Sequence, residues 1–142
     1  MIDVTSLSAY ELSQKLHSGE ISSVDLCTAY LDRIKKFEKD VQAWQFIDKK
    51  LLLEKAEEAD TYRKSGKPLG PLHGMPVAIK DMIGTYDMPT ECGTVFRKKM
   101  SNSQDSEIVN LLKNSGAIIM GKTVTCELAY IHPSKTKNPH DY

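Results

Sequence analysis

The fold of this chain can be worked out from residues 70–81, GPLHGMPVAIKD. Glycine and proline fill the first half of this segment, which predicts a loop that delivers the chain to a defined position. The second half contains an apolar run, Val77–Ile79, bounded by turn residues. Such a run is typical of a short strand covered on both faces. Lys80 and Asp81 therefore stand at the end of a predicted buried strand.

Helical patterns lie on both sides of this strand. Ser8 and Ser22 each open a capping-box pattern, so two helices should begin there. A third helix, rich in Leu, Glu, Lys and Ala, should run to Gly66, a typical helix stop. A fourth should begin at a cap provided by Ser103 or Asp105.

Two further strands are predicted, one before and one after residues 70–81 in the sequence. The run at 43–47 is aromatic and β-branched, and the run at 117–120 is wholly apolar. Helices that alternate with short apolar strands indicate an α/β fold. Residues 130–142 form a polar, proline-bearing loop with no element after it, so the domain reads as interrupted there.

Composition excludes several function classes. Nineteen basic residues balance nineteen acidic ones, so no general positive field exists to hold nucleic acid. No leader pattern or spanning apolar window occurs, and we expect a cytoplasmic protein without membrane partners. Cys27, Cys92 and Cys126 are widely spaced, which predicts buried reduced thiols and neither disulfide nor zinc. The scattered histidines predict no metal site, and no cofactor is implied.

Lys80 is the first candidate for chemistry. A lysine at the end of a buried strand can be desolvated, which lowers its pKa toward the range of a general base. The alternative is a lysine that extends to solvent or pairs with Asp81. Residue types and spacing alone leave both interpretations open.

Residues 116–123, GAIIMGKT, formally satisfy the phosphate-binding pattern G-x-x-x-x-G-K-[ST]. A phosphate-binding loop follows a strand and opens a helix, whereas here a helix is predicted before Gly116 and the intervening residues belong inside a sheet. We therefore expect Lys122 to stand at a strand end as a structural or solvated lysine, and we expect no nucleotide hydrolysis.

The segment 70–81 closely resembles G-P-L-x-G-x-P-x-x-x-K-D of the amidase-signature family. Residues 116–123 are similar to the family's G-A-x-x-x-G-K-T, and Glu127-Leu128-Ala129 and Asn138-Pro139 continue the match in register. The resemblance implies the N-terminal part of the amidase-signature fold, a mixed β-sheet core flanked by helices and incomplete in this chain. Residues 1–142 would be one fragment of a single domain, without a separate second domain. Val124 departs from the family, which usually has asparagine there.

The resemblance also implies the chemistry. Lys80 matches the catalytic lysine of a Ser-Ser-Lys triad, which accepts a proton from one serine while that serine deprotonates the nucleophilic serine. Both serines belong to a glycine- and serine-rich stretch that the family places beyond Tyr142, and no serine of this chain matches them. Ala129 and Tyr130 match positions where family members line the substrate pocket; the alternative is that they are simple packing residues after a strand. Asp81 follows the lysine in the family as it does here, and we expect it to have a structural role, fixing the strand end and Lys80 by hydrogen bonds.

Three functions follow as alternatives. The first is an amidase that hydrolyses a small-molecule carboxamide without a cofactor, represented here only by its lysine-bearing segment and inactive alone. The second is the glutaminase subunit of a tRNA-dependent amidotransferase. The third is a non-catalytic remnant or assembly module. The partner would be a homodimer mate or a complementing C-terminal chain, and we expect the isolated chain to be poorly soluble because its sheet has an open edge.

Overall fold

The computed structural model describes residues 3–141. Met1, Ile2 and Tyr142 lie outside the described residues. The α/β fold is confirmed. The elements in chain order are a 3-10 turn Val4–Ser6, α1 Ala9–Ser18, α2 Ser23–Val41, β1 Trp44–Phe46, α3 Lys49–Lys64, β2 Pro76–Lys80, α4 Glu107–Asn114, β3 Ile118–Thr123 and a 3-10 turn Glu127–Ala129.

The first two helices begin where their caps predict. Ser8 forms a complete capping box with Glu11, each satisfying a free backbone N–H of the other. Ser22 accepts from the backbone N–H of Asp25, and its hydroxyl donates to the Asp25 carboxylate at 2.6 Å. Asp60 of α3 supplies two more acceptors, because its oxygens accept from the N–H groups of Ser23 and Val24 at 2.8 and 3.1 Å. One buried carboxylate thus fixes α3 to the N-terminus of α2.

The predicted cap of α4 is wrong. Its N-cap is Ser106, whose side chain makes no cap hydrogen bond, and neither Ser103 nor Asp105 takes that position. The Asp105 carboxylate is engaged elsewhere: it accepts from Lys113 Nζ at 2.7 Å and from the Tyr86 N–H at 2.7 Å. The tertiary ion pair with Lys113 competes for the carboxylate that local sequence assigns to the cap.

The three strands form one mixed sheet in the order β1-β3-β2. β1 pairs antiparallel with β3, and β2 pairs parallel with β3 across a crossover that contains α4. The prediction that β2 is covered on both faces is wrong, because Ala78 and Lys80 are exposed. β2 lies at the edge of the sheet, whereas β3 lies in the centre and buries its residues from Ile118 to Lys122.

Apolar side chains pack on both faces of β3. One cluster joins α2 and α3 to the sheet, and the other joins α4 and the 83–88 loop to it. Each fully buried aliphatic side chain contributes ~2 kcal/mol of transfer free energy. The first cluster contains Cys27, Leu52, Ala56, Ile118 and Met120; the second contains Ile79, Met88, Val109 and Ile119.

The cysteine prediction holds only in part. All three thiols are free, but only Cys27 is fully buried, and Cys92 and Cys126 are half-buried. Burial raises the pKa of Cys27 to about 12, so this thiol stays protonated at neutral pH.

Within residues 3–141, no helix combines the length and apolar character needed to cross a membrane.

Several large apolar side chains remain exposed to solvent. They include Val95, Phe96, Ile108, Leu111, Leu128, Tyr130 and Ile131.

The 130–141 loop is attached to the end of α2 and the residue after it, because Lys137 N–H donates to Val41 O at 2.9 Å and the Thr136 hydroxyl donates to Gln42 O at 2.8 Å.

Candidate active-site edge

Lys80 is the last residue of β2, and its partner across the parallel ladder is Thr123, the last residue of β3. The carboxyl ends of both strands therefore meet at one edge of the sheet. This is the edge at which open α/β sheets bind ligands. Lys80, the first candidate for chemistry in the sequence, thus lies at this edge.

Two interpretations of Lys80 were open, a desolvated lysine and one that extends to solvent or pairs with Asp81, and in this chain Lys80 extends to solvent. Its side chain is exposed, and within residues 3–141 it forms neither a hydrogen bond nor an ion pair, including with Asp81. The reason is topological, since β2 has β3 on one side and no described strand on the other. Alternate residues of β2 face opposite sides, so Ala78 and Lys80 share an uncovered face while Ile79 is buried.

Asp81 connects the ends of β2 and β3 to the segment around residues 91–92 by hydrogen bonds. Its N–H donates to Thr123 O at 2.9 Å, and its carboxylate accepts from the Glu91 N–H at 3.0 Å. The Cys92 N–H donates to the Asp81 carbonyl at 2.9 Å. Burial raises the pKa of this carboxyl group, and the hydrogen bond from Glu91 opposes that rise. Asp81 is only 1% exposed, and its second carboxylate oxygen has no hydrogen-bond partner within residues 3–141.

Lys122 is completely buried. Its ammonium group donates three hydrogen bonds, to Ile83 O at 2.7 Å, Thr90 Oγ1 at 2.8 Å and Thr85 Oγ1 at 3.2 Å. Three donors therefore meet three acceptors, which is how a buried lysine is satisfied. Burial lowers the pKa of Lys122, while the charge of Asp81 opposes the shift. Of the two predicted alternatives, structural and solvated, the structural one is correct.

A β-bulge sets the direction of the Lys122 side chain. Val77 pairs with Ile119 and Ala78 pairs with Gly121, so β3 carries one extra residue at Met120. The insertion puts Lys122 opposite Ile79, on the face that Ile119 also covers. Strict alternation would have placed Ile119 and Lys122 on opposite faces, so no pattern in the sequence could have indicated this burial.

The phosphate-binding alternative fails on geometry. Residues 118–123 are a continuous strand between β1 and β2, so their backbone groups pair within the sheet. The Lys122 ammonium is buried among protein acceptors. A phosphate would find neither free N–H groups nor a free lysine there.

Ala129 and Tyr130 follow β3 at the same edge as Lys80. Leu128 and Ala129 adopt left-handed φ values of 49° and 54°, and the Leu128 N–H donates to Cys92 O at 2.9 Å. Because Cys92 also contacts Asp81, it links the end of β2 to this turn. Tyr130 is 82% exposed. Packing does not hold Tyr130, so its side chain is available to another molecule or segment.

An open cleft of about 500 Å³ lies beside this turn. Thr125 lines it, and its buried hydroxyl has no hydrogen-bond partner among the described residues. A cleft of about 580 Å³ lies instead near the start of β3, between Tyr62 and His73, away from Lys80. Within residues 3–141, no group of three or more metal-ligating side chains occurs. Of the two clefts, the one beside the turn is the one that adjoins the Lys80 edge.

At Val124, where asparagine was expected, the backbone N–H has a hydrogen-bond partner. Its N–H donates to Ala43 O at 2.8 Å and extends the pairing between β1 and β3. The apolar side chain therefore leaves this part of the backbone ladder intact.

Known proteins share the sequence around this edge. The family model described as Amidase matches residues 25–140. A glutamyl-tRNA(Gln) amidotransferase subunit of Salinispora tropica is 38% identical over 147 aligned positions, which cover 99% of this chain and 30% of that protein. The chain spans less than a third of the length of the first such relatives.

Solved structures agree with the sequence matches. The native peptide amidase from Stenotrophomonas maltophilia superposes with a TM-score of 0.78 at 30% identity, covering 86% of this chain and 25% of that one. A structure described as an unexpected vestigial protein complex, which reveals the evolutionary origins of an s-triazine catabolic enzyme, superposes with a TM-score of 0.89 at 26% identity. It covers 95% of this chain and 31% of that one.

Proposed function

The chain belongs to the amidase-signature family, and from that premise we propose that it is the lysine-bearing part of an amidase that hydrolyses a carboxamide C–N bond. The observation that carries this proposal is the position of Lys80. It ends a strand at the carboxyl edge of the sheet, where open α/β sheets bind ligands, inside the stretch that matches the family.

In the proposed reaction, neutral Lys80 accepts a proton from one serine, and that serine takes the proton of a second. The second serine oxygen attacks the amide carbonyl carbon, the C–N bond breaks, and the amine leaves with a proton. Water then cleaves the acyl ester and restores the serine. The substrate is a small-molecule amide, and the scheme needs no cofactor.

The exposure of Lys80 bears on this scheme. A lysine that acts as a general base has to be desolvated, because burial disfavours the ammonium form. In this chain the open side of β2 leaves Lys80 in solvent. Polypeptide that covers this side would supply both the serines and the desolvation. We therefore expect the 142-residue chain to be inactive by itself.

A second candidate function is that of a glutaminase subunit in a tRNA-dependent amidotransferase. The observation that favours it is the 38% identity to proteins named as glutamyl-tRNA(Gln) amidotransferase subunits. Such a protein should release ammonia from glutamine and co-purify with its partner subunits. A stand-alone amidase should need neither glutamine nor those partners.

A third candidate is a non-catalytic remnant or assembly module. It is favoured by the exposed apolar side chains and by the exposure of Lys80. The intact mass of the native polypeptide separates this candidate from the others. A mass well above 15.9 kDa supports a working amidase, whereas a mass equal to these residues alone leaves Lys80 dependent on a separate chain.

The decisive experiment is reconstitution. The 142-residue chain is mixed with the remainder of the Salinispora tropica relative, and ammonia release from a simple carboxamide and from glutamine is measured. We expect turnover only in the mixture and a loss of ~10³-fold or more with Lys80→Ala. Lys50→Ala is the control, because its side chain is 88% exposed on α3. Unchanged turnover by the Lys80 variant would refute the lysine assignment.

A further inference from the structure

The cleft of about 580 Å³ near the start of β3 is distinct from the Lys80 edge. We propose that it binds a small neutral molecule with an apolar body and N–H or O–H donors, such as an aromatic primary amide. The inference does not depend on the proposed function, because Lys80 lies at the carboxyl ends of the parallel strands and the cleft lies at the opposite end. Residues 118–123 of β3 separate the two places by ~16 Å.

The cleft lies where β1 does not cover β3. β1 pairs with β3 only at residues 122 and 123, so among the described strands the first half of β3 has no neighbour on that side. Helix α3, the end of α4 and the loop at residues 87–88 surround this part of β3. The volume falls within the range of small-molecule sites, ~300–1,000 Å³. The apolar lining comprises Leu51, Ala59, Met88, Ala117, Ile118 and Ile119.

His73 contributes a hydrogen-bond acceptor to this cleft. Its Nε2 lies 3.0 Å from Ala59 O, and because a carbonyl oxygen can only accept, Nε2 carries the proton. Burial lowers the pKa of His73, which favours the neutral ring and leaves a lone pair on Nδ1. The residue is only 6% exposed, and with the residues from 3 to 141 Nδ1 makes no hydrogen bond. A buried acceptor in the lining therefore lacks its donor.

Asp87 contributes a second acceptor. Its Oδ2 accepts from Lys113 Nζ at 3.2 Å, whereas its Oδ1 is buried and has no partner within the described part of the chain. Asp87 and His73 both line the cleft. Because buried polar atoms are ordinarily hydrogen-bonded, a ligand that brings donors to these two acceptors supplies what the protein does not.

The charges of the lining favour a neutral ligand. The lining contains two lysines and two carboxylates, and they pair with one another: Lys55 with Glu58 at 2.9 Å and Lys113 with Asp87 at 3.2 Å. A charged ligand would leave water without an unmatched countercharge to receive it, which is unfavourable. A neutral amide or alcohol loses less on desolvation.

The imidazole of His73 is held in place before any ligand binds. The Leu72 N–H donates to Ser115 O and the Gly74 N–H donates to Gly116 O, both at 2.9 Å, so the residues on either side of His73 are fixed. The ring of Tyr62 lies with its centroid 5.7 Å from that of His73 and provides an aromatic surface in the lining. A preformed site avoids part of the ordering cost of binding.

Benzamide and its relatives test the proposal by NMR on the ¹⁵N-labelled 142-residue chain. N,N-dimethylbenzamide keeps the aromatic body and lacks the donors, while benzoate and benzamidinium are the anion and cation of similar shape. We expect benzamide to shift the amide signals of residues 117–119 and to bind about tenfold more tightly than the dimethyl analogue and either ion. No binding, equal affinities, or signal changes only outside the cleft would overturn the proposal.

Two pairs of variants locate the acceptors. His73→Phe removes Nδ1 and keeps a ring; His17→Phe is its control, because His17 lies beside His73 but outside the lining. Asp87→Ala and Asp105→Ala each remove a partner of Lys113, but only Asp87 lines the cleft. We expect about tenfold weaker benzamide binding in the first member of each pair and little change in the second.

Thermal unfolding midpoints show whether each variant is folded. If the His73 variant does not fold, the aspartate pair decides by itself. Equal benzamide binding by the two members of each folded pair would overturn the proposal.

The titration is repeated with the remainder of the Salinispora tropica relative at saturation. Retained signal changes at residues 117–119 would support a ligand site that persists in the assembled protein. Their loss would show that the added polypeptide fills the cleft, and would overturn the proposal.

Discussion

The ammonium nitrogen of Lys122 lies 2.8 Å from the hydroxyl oxygen of Thr90, in an interior site without solvent exposure. Lys122 belongs to the central strand and Thr90 to the long connection after β2. This hydrogen bond therefore fixes the connection to the sheet just behind the Lys80 edge.

Replacing Lys122 by methionine should destabilise the chain by ~3 kcal/mol, because it removes the donor to Ile83 O and Thr85 Oγ1 and one of the two donors to Thr90 Oγ1, which also accepts from Asn102 Nδ2. Urea unfolding followed by circular dichroism measures the change. Lys50→Met on the exposed surface of α3 is the control and should change stability by less than ~0.5 kcal/mol. Similar losses in both variants would contradict the buried hydrogen bonds.

Gly93→Ala should be more damaging than Gly66→Ala, although both glycines have a positive φ, 68° and 71° respectively. A Cβ at Gly93 would lie 2.8 Å from the backbone oxygens of Thr125 and Cys126, whereas nothing lies within 4 Å at Gly66. We expect ~1 kcal/mol at Gly66 from backbone strain alone and ~2–3 kcal/mol at Gly93. Equal unfolding midpoints for the two variants would show that residues 93 and 126 are packed more loosely than the structure shows.

Asp60→Ala should separate α3 from the N-terminus of α2. The carboxylate accepts from the buried N–H of Ser23 and the partly buried N–H of Val24, so its loss should cost ~2 kcal/mol. Asp60→Asn keeps one acceptor oxygen and should cost about half as much. Chemical denaturation of the parent and the two variants measures their free energies of unfolding. An asparagine variant less stable than the alanine variant would refute the capping role.

Stability should fall as the pH drops below about 6.5, because burial lowers the pKa of His73 in the folded chain. The sign follows from linkage: the unfolded state takes up the proton at a higher pH than the folded state, so acid favours unfolding. Groups around this imidazole are the rings of His17 and Tyr62 and the charges of Asp60 and Arg63.

His73→Gln should reduce this pH dependence, and His17→Gln is the comparison. The measurement is the urea midpoint of parent and variants on either side of the ordinary histidine pKa of about 6.5. If the His73 variant loses stability with acid as steeply as the parent, the lowered pKa of His73 is not the cause.

Tyr130→Ala should leave stability unchanged and raise KM in the reconstituted enzyme. The residue is 82% exposed, so truncation removes little packing, yet it stands at the proposed substrate edge. Tyr10→Ala on α1, 74% exposed, is the matched aromatic control. A KM that is the same for both variants would remove Tyr130 from the substrate pocket.

Most of the local structure could be predicted from the sequence. Capping residues located the starts of α1 and α2, and apolar runs located all three strands. Two local signals failed, each because of a contact, or the lack of a contact, that the local pattern does not contain. Asp105 pairs with Lys113 and so does not cap α4, and Lys80 is exposed because its strand lies at an edge.

By itself, the sequence determined the alternation of helices and strands, because periodicity and capping are properties of neighbouring residues. It also determined the family, through the motif around Lys80. Only the tertiary structure decided which strand is central and that a bulge turns Lys122 inward onto Thr85 and Thr90. Strand order and side-chain burial depend on contacts between segments far apart in the chain, and such contacts leave no local pattern.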